Sequence, residues 1–339
     1  MSIQTDQYAL TSGVASPDER ATPEFLRAVA ERGASEVATA GAPGRDGAQF
    51  PDANWALDKC GFKKGRDILD ARGDPDPGPI AVIDVGYGLL DHPCIQAVVE
   101  EGFARRNESS SAVHAAEVSG VIANACPVKK VHVYNVATTA GIDTSLILEA
   151  LARVASSNAR VLNLSIGWHQ RSIGWEKQGQ RLEDAIDACL DKGIVVVAAM
   201  GEYEEPNYVV SYPAAFKRVV AVGATDHHDR RLPGSAVGEH IWIAAPGEDI
   251  PTVAADGAFG LQQGTSFATA LVSAAAWLAI RARPSWKPDQ IRAALGNSAD
   301  ATLVGDCPKE LKALAPANGK WNLGVGCGRL DVAQLATVV

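Results

Sequence analysis

Three residues have the types and settings needed for nucleophilic chemistry. Asp84 ends the short apolar run Ile80-Ala81-Val82-Ile83-Asp84, just before Gly86. His114 opens a stretch whose apolar residues, Val113, Val118, Val121 and Ile122, recur at helical spacing. Ser266 follows Gly264-Thr265 at the mouth of a long Ala-rich run. A serine hydroxyl becomes a useful nucleophile when a neighbouring base takes its proton. An imidazole suits that task, and a carboxylate behind it fixes the tautomer and steadies the imidazolium. A serine at a helix N-terminus also lies among unpaired N–H groups at the positive end of the helix dipole, where an oxyanion is stabilised. Taken alone, the Ser266 stretch reads first as a simple helix cap. The nucleophile reading depends on whether the rest of the chain brings a base and an acid to it.

The elements that must position these groups are legible as alternating apolar runs and amphipathic stretches. Strands are expected at 80–84, 131–136, 161–165, 194–199 and 218–222. Helices are expected at 111–125, 144–155, 181–192, from Ser266 onward, and at 288–295. Strands that are apolar throughout and alternate with helices indicate a parallel sheet covered on both faces. Such sheets gather functional groups at the carboxyl ends of their strands. Asp84, Ser165 and the pair Gly201-Glu202 each fall just past a strand, on one edge. Residues 1–53 read as an extension, with one short helix from Thr22 to Gly33 and a flexible Ala/Gly/Asp-rich linker after it. Residues 54–339 read as the folded domain.

The 339 residues carry a net charge of -9, which argues against nucleic acid or an anionic membrane as a partner. The N-terminus lacks the basic and apolar regions of a secretory signal, so a cytoplasmic location is expected. No uninterrupted apolar run reaches the length of a membrane span, so none is expected. The six cysteines form no CxxC pair, which disfavours a zinc site. Most are expected to be small core hydrophobes, and Cys307 and Cys327 could bridge in an oxidising compartment. The run His227-His228-Asp229 reads as a solvated turn in preference to a metal site.

Several blocks in order resemble the subtilases, the subtilisin-like serine peptidases. AVIDVGYGLLDHPCI is similar to the family's aspartate segment, and HAAEVSGVIANA to its histidine helix. VLNLSIGW is similar to the substrate-binding strand, and VVVAAMGEYEEPNYVVSYPAAFKRVVAVGATD to the segment from the oxyanion asparagine onward. APGEDI, QGTSFATALVSAAA and GCGRLDVAQL resemble the last three blocks. The order Asp, His, Ser is that of the subtilisins. The resemblance runs from about Trp55 to the C-terminus. It implies a three-layer α/β fold with a mostly parallel central sheet and helices on both faces. It also implies a serine endopeptidase with Ser266 as nucleophile, His114 as base and Asp84 as its orienting acid. Ser165, Ile166 and Gly167 would hold a peptide or protein substrate as an added strand, with Gly201 beside the cut. The chemistry requires no cofactor. A stabilising calcium is common in the family, but no calcium loop is traceable in this sequence.

The chain departs from the family pattern in three places. Val85 stands where a threonine is usual. Ala115, Ala116 and Glu117 stand where the family has glycine, threonine and a second histidine. Glu117 lies three residues after His114 on one helix face, where a solvated carboxylate is the first expectation and an influence on the imidazole the alternative. At the oxyanion-hole position, Glu202 replaces asparagine. An ionised glutamate only accepts hydrogen bonds, and loss of the donor alone costs subtilisin about 10²–10³ in kcat. Three outcomes are open: a protonated Glu202 that donates, a Glu202 that swings out, or a silent peptidase that binds peptides. Glu202, Glu204 and Glu205 together would favour Lys or Arg before the cut.

Overall fold

A computed structural model describes residues 54–70, 76–86, 88–95, 97–100, 103, 113–138, 141–169, 175–202, 210–302, 304 and 319–339. The helix and linker expected within residues 1–53, Glu204 and Glu205, and Cys307 lie outside the described residues.

The chain begins with α1 (Trp55–Lys59), α2 (Phe62–Asp70), β1 (Ile80–Asp84) and β2 (Ala97–Val99). Next come α3 (His114–Ala125), β3 (Val131–Asn135), β4 (Ala137–Thr138), β5 (Gly141–Ile142) and α4 (Thr144–Ala155). The middle holds β6 (Val161–Leu164), β7 (Trp168–His169), α5 (Trp175–Asp191), β8 (Val195–Ala199), β9 (Ser211–Tyr212) and β10 (Val220–Thr225). The last third holds β11 (Ile243–Pro246), β12 (Ile250–Val253), β13 (Phe259–Gln262), α6 (Thr265–Ala282), α7 (Pro288–Ser298) and α8 (Val332–Val338).

Seven strands form one parallel sheet in the order β11-β10-β8-β6-β1-β3-β2. The chain lays β2 and β3 on one side of β1 and the later strands on the other. A crevice therefore opens at the carboxyl end of β1, the place where open α/β sheets bind ligands. Helices α4 and α5 pack together over β1 and β8, while α3, α6, α7 and α8 form the other layer. This is the three-layer parallel arrangement that the alternating apolar strands imply.

Helix α6 is the central post of the second layer, against β6, β8, β10, β11 and α3. Its 18 residues have the length and mean hydropathy of a membrane span, although polar residues divide its apolar run. Its mid-helix hydroxyls at Thr269 and Ser273 are satisfied within the protein, on Thr265 O and Asn163 Oδ1. The helix is almost wholly enclosed by the rest of the fold, as a core helix is. Small side chains at Ala115, Ala116, Ser119 and Gly120 are buried on α3 and allow it close approach to α6.

The tail is tied back by Arg329. Its guanidinium meets Asp300 at 2.7 Å and Asp229 at 2.8 Å and donates to the carbonyl of Lys59 at the end of α1. The turn expected at 227–229 is present with His227 and His228 exposed, and Arg329 draws Asp229 partly inward. Asp226 organises the turn by accepting the N–H groups of His228 and Arg230, His227 stacks on Trp55, and Asp229 joins a largely buried ion pair. Burial pushes the thiols of Cys60, Cys126 and Cys189 up to about 12, in keeping with inert core positions.

Candidate active site

The carboxyl ends of β1, β6 and β8 meet the N-terminal ends of α3 and α6 in the crevice. Asp84, the last residue of β1, is fully buried. Its Oδ1 accepts the Val85 N–H at 2.6 Å and lies 2.6 Å from His114 Nδ1. Asn135, paired with Asp84 across β1 and β3, accepts the N–H groups of Gly86 and Ala137 and so fixes the turn that carries the acid. Asp84 Oδ2 is buried with no hydrogen-bond partner among the described residues. Val85 offers it no hydroxyl, the chemical difference made by the missing threonine.

His114 is the first residue of α3. The Ala115 N–H donates to Val85 O at 3.1 Å, so the helix start is anchored to the strand end that bears Asp84. Burial disfavours the charged imidazole, yet the carboxylate of Asp84, reinforced by Glu117 and Glu202, holds its pKa above the ordinary value. With Nδ1–H directed to Asp84, Nε2 is left as the basic nitrogen. The imidazole lies 5.9 Å from the ring of Phe267, the residue after Ser266. The imidazole and the loop that carries Ser266 are thus neighbours.

Ser266 occupies the second position of α6, among the amides a helix leaves without an intrahelical acceptor. Its hydroxyl donates to Ser165 O at 3.3 Å, while Ser165 Oγ donates to Ser266 O at 3.0 Å. Asn163 Nδ2 donates in turn to Ser165 Oγ, which staples β6 to α6. The cap expected of Ser266 alone is absent from the geometry: Gly264 is the N-cap residue, with no side-chain cap bond.

Ser165 and Ile166 are buried and follow β6 directly. The Ile166 side chain lines a small apolar pocket with Leu182, Pro213 and Phe216. At Gly167 a Cβ would lie 3.1 Å from Ser211 Oγ and from Tyr212 O, so glycine lets the β9 segment close in beside this edge.

Gly201 follows β8 with φ +86°, a turn that suits glycine. Its N–H donates to Thr265 Oγ1 at 3.1 Å. Glu202 then reaches α6 from the other side, and its Oε1 accepts the Thr265 N–H. The carboxyl is therefore turned toward the helix N-terminus and has not swung away. Burial pushes its pKa up, against the pull of the Thr265 amide and hydroxyl and of His114.

Glu117 corrects the solvated expectation. It is buried at 9% exposure, and Gln262 Nε2 donates to its Oε1 at 2.7 Å. Burial raises its pKa, with His114 drawing it down and Asp84 pushing it up. Thr265, Gln262, Thr252 and Asn135 also shape the site without standing out in the sequence. Thr265 was within reach, because it precedes the serine in its motif; the other three carry no local signal. Among the described residues no cluster of His, Cys, Asp or Glu could hold a metal ion, so no residues are put forward for a calcium.

The sequence model of the subtilase family matches residues 80–328, and the chain belongs to that family. Subtilisin Savinase of Lederbergia lenta is 30% identical over 232 residues, covering 65% of this chain and 82% of the relative. Subtilisin NAT of Bacillus subtilis subsp. natto is 32% identical over 164 residues, 48% of this chain but only 41% of the relative's length. The crystal structure of a lanthipeptide protease superposes with a TM-score of 0.63 at 20% identity, covering 84% of this chain and 97% of that one, a likeness of fold.

Proposed function

We propose that this chain is a serine endopeptidase that cuts peptide or precursor-protein bonds through an acyl-enzyme. The observation that carries the reading is the 2.6 Å contact of Asp84 with His114, beside the helix N-terminus that bears Ser266. Ser266 Oγ turns from Ser165 O to His114 and attacks the scissile carbonyl carbon. Its proton passes to His114 Nε2, and Asp84 steadies the imidazolium. As the C–N bond breaks, His114 returns that proton to the leaving amine. Water then hydrolyses the Ser266 ester with His114 as base again. The substrate lies as an added strand along residues 165–167. A processing role on a peptide precursor is in keeping with the fold shared with a lanthipeptide protease.

Glu202 serves as donor in its protonated form. Thr265 N–H holds Oε1, and the second oxygen carries the O–H that meets the oxyanion together with the Ser266 N–H. The competent state then has one proton on Glu202 and a neutral His114. Coulomb attraction favours the opposite distribution, an ionised Glu202 facing an imidazolium. Activity then follows a bell-shaped pH profile.

One observation favours a second reading, a peptide-binding pseudopeptidase. The Glu202 carboxyl already takes an amide at the N-terminus of α6, where negative charge is stabilised. A serine-directed phosphonate probe, applied from acid to alkaline pH, separates the two. Labelling of wild type that disappears in Ser266→Ala is expected. Absence of labelling at every pH would leave only the binding module.

A further inference from the structure

We infer that Glu117 is a positioning residue that locks the base helix to the nucleophile hairpin and presents a second carboxylate to His114. Its catalytic meaning rests on the peptidase reading. Glu117 lies three residues beyond His114, so both side chains share one face of α3. Two hydrogen bonds leave it for the hairpin that delivers Ser266. Thr252 Oγ1, on β12, donates to the Glu117 carbonyl at 2.6 Å, and Gln262 Nε2, at the end of β13, donates to Oε1 at 2.7 Å. Strands β12 and β13 pair antiparallel, with Ile250 opposite Gln262, and the chain passes from Gln262 into the Gly264-Thr265-Ser266 loop. A two-stranded hairpin is marginal by itself. Its position over the site therefore depends on side-chain ties of this kind.

A buried carboxylate is costly unless it is bonded and faces a cation. Glu117 meets both conditions when His114 is protonated. The charged groups facing His114 are Asp84 from the end of β1, Glu117 from its own helix and Glu202 from the turn after β8. Those facing Glu117 are His114 and Asp84, with Gln262 and Thr252 as neutral partners. An added anion beside the imidazole stabilises the imidazolium that forms as Ser266 attacks. It also moves the acid limb of activity to higher pH.

The test uses the full chain. Glu117→Gln keeps an oxygen for Gln262 and removes the charge. The His114 ring, followed by NMR, should titrate about half a unit to one unit lower than in wild type. The acid limb of Ser266 labelling should move the same way, and the labelling plateau should fall about threefold to tenfold. Glu117→Ala should also speed amide exchange in the 250–262 hairpin about tenfold. In wild type, the Glu117 carboxyl carbon and the His114 ring should show coupled two-step titrations. An unmoved His114 titration in Glu117→Gln, unchanged hairpin exchange in Glu117→Ala, or independent one-step curves in wild type would each overturn the inference. Ring titration needs no turnover. A shifted His114 beside a Ser266 that never labels would sink the peptidase reading and leave the placement of Glu117 standing.

Discussion

Glu202 accepts the amide hydrogen of Thr265, the residue immediately before Ser266. A carboxyl group thus sits at the positive end of the central helix, where the proposed reaction would develop its oxyanion. The same helix terminus that favours the reaction's developing charge is engaged by an acidic side chain of the protein itself. In the proposed reaction, protonation of Glu202 would turn this competitor into a partner.

Glu202→Asn replaces a titrating donor with a permanent one. Peptide cleavage or probe labelling at alkaline pH should rise about 10²-fold, and the gain should shrink toward acid pH as wild-type Glu202 becomes protonated. The alkaline limb of the profile should vanish. A variant no faster than wild type at alkaline pH would remove Glu202 from the list of groups that limit the rate.

Glu202 also makes stability depend on pH. Its folded-state pKa is raised by burial, so its contribution is fully present below the unfolded carboxyl value and is lost as pH rises through the folded one. Glu202→Gln escapes that loss. Its Tm should match wild type in acid and exceed it by about 2–4 °C near neutrality, the equivalent of about 1 kcal/mol. Scanning calorimetry across pH reads this directly, and a constant Tm difference would contradict it.

Gly264 has φ +141°, and a Cβ there would stand 3.0 Å from Glu202 Oε1. Gly264→Ala should cost about 1–3 kcal/mol in urea unfolding from backbone strain. It should also slow Ser266 labelling by displacing Glu202. Unchanged unfolding midpoints would mean that the loop relaxes freely.

Asp84→Asn keeps the shape of the acid and removes its charge. In trypsin the equivalent change lowers kcat by about 10⁴, and a loss of about 10³–10⁴ is expected here. The His114 titration should fall at the same time, because Asp84 is the main anion holding it up. A full-rate variant would contradict the proposed triad.

Arg329→Met should destabilise the fold by about 3–5 kcal/mol, since it leaves Asp300 and Asp229 without their shared guanidinium. Denaturant titration measures this, and the pH profile of labelling should keep its shape because Arg329 lies outside the site.

Much of the scaffold was legible in one dimension. β1 and α4 have the boundaries expected from their apolar spacing, and β3, β6 and β8 differ by one residue. These strands are apolar runs buried almost throughout and α4 is amphipathic, so local pattern and tertiary demand agree. The sheet's last strand β11, the hairpin β12–β13 and the short helices α1, α2 and α8 were not anticipated. Partners distant in the chain hold them in place. Helix α5 begins at Trp175, ahead of the expected Arg181.

Residue types, their order and most element ends are set locally in the sequence: an acid ending β1, a histidine opening α3, a serine in the first turn of α6 and a glutamate after β8. Tertiary structure decided what each carboxylate does. Glu117 was expected to be solvated, yet its partner Gln262 is 145 residues away. Glu202 was left with three outcomes, and its partner Thr265 is 63 residues away. Hydrophobic periodicity places a side chain on a face. Hydrogen-bond partner, burial and charge state depend on which other face is packed against it, and that is fixed only when β1, β8, α3 and α6 come together.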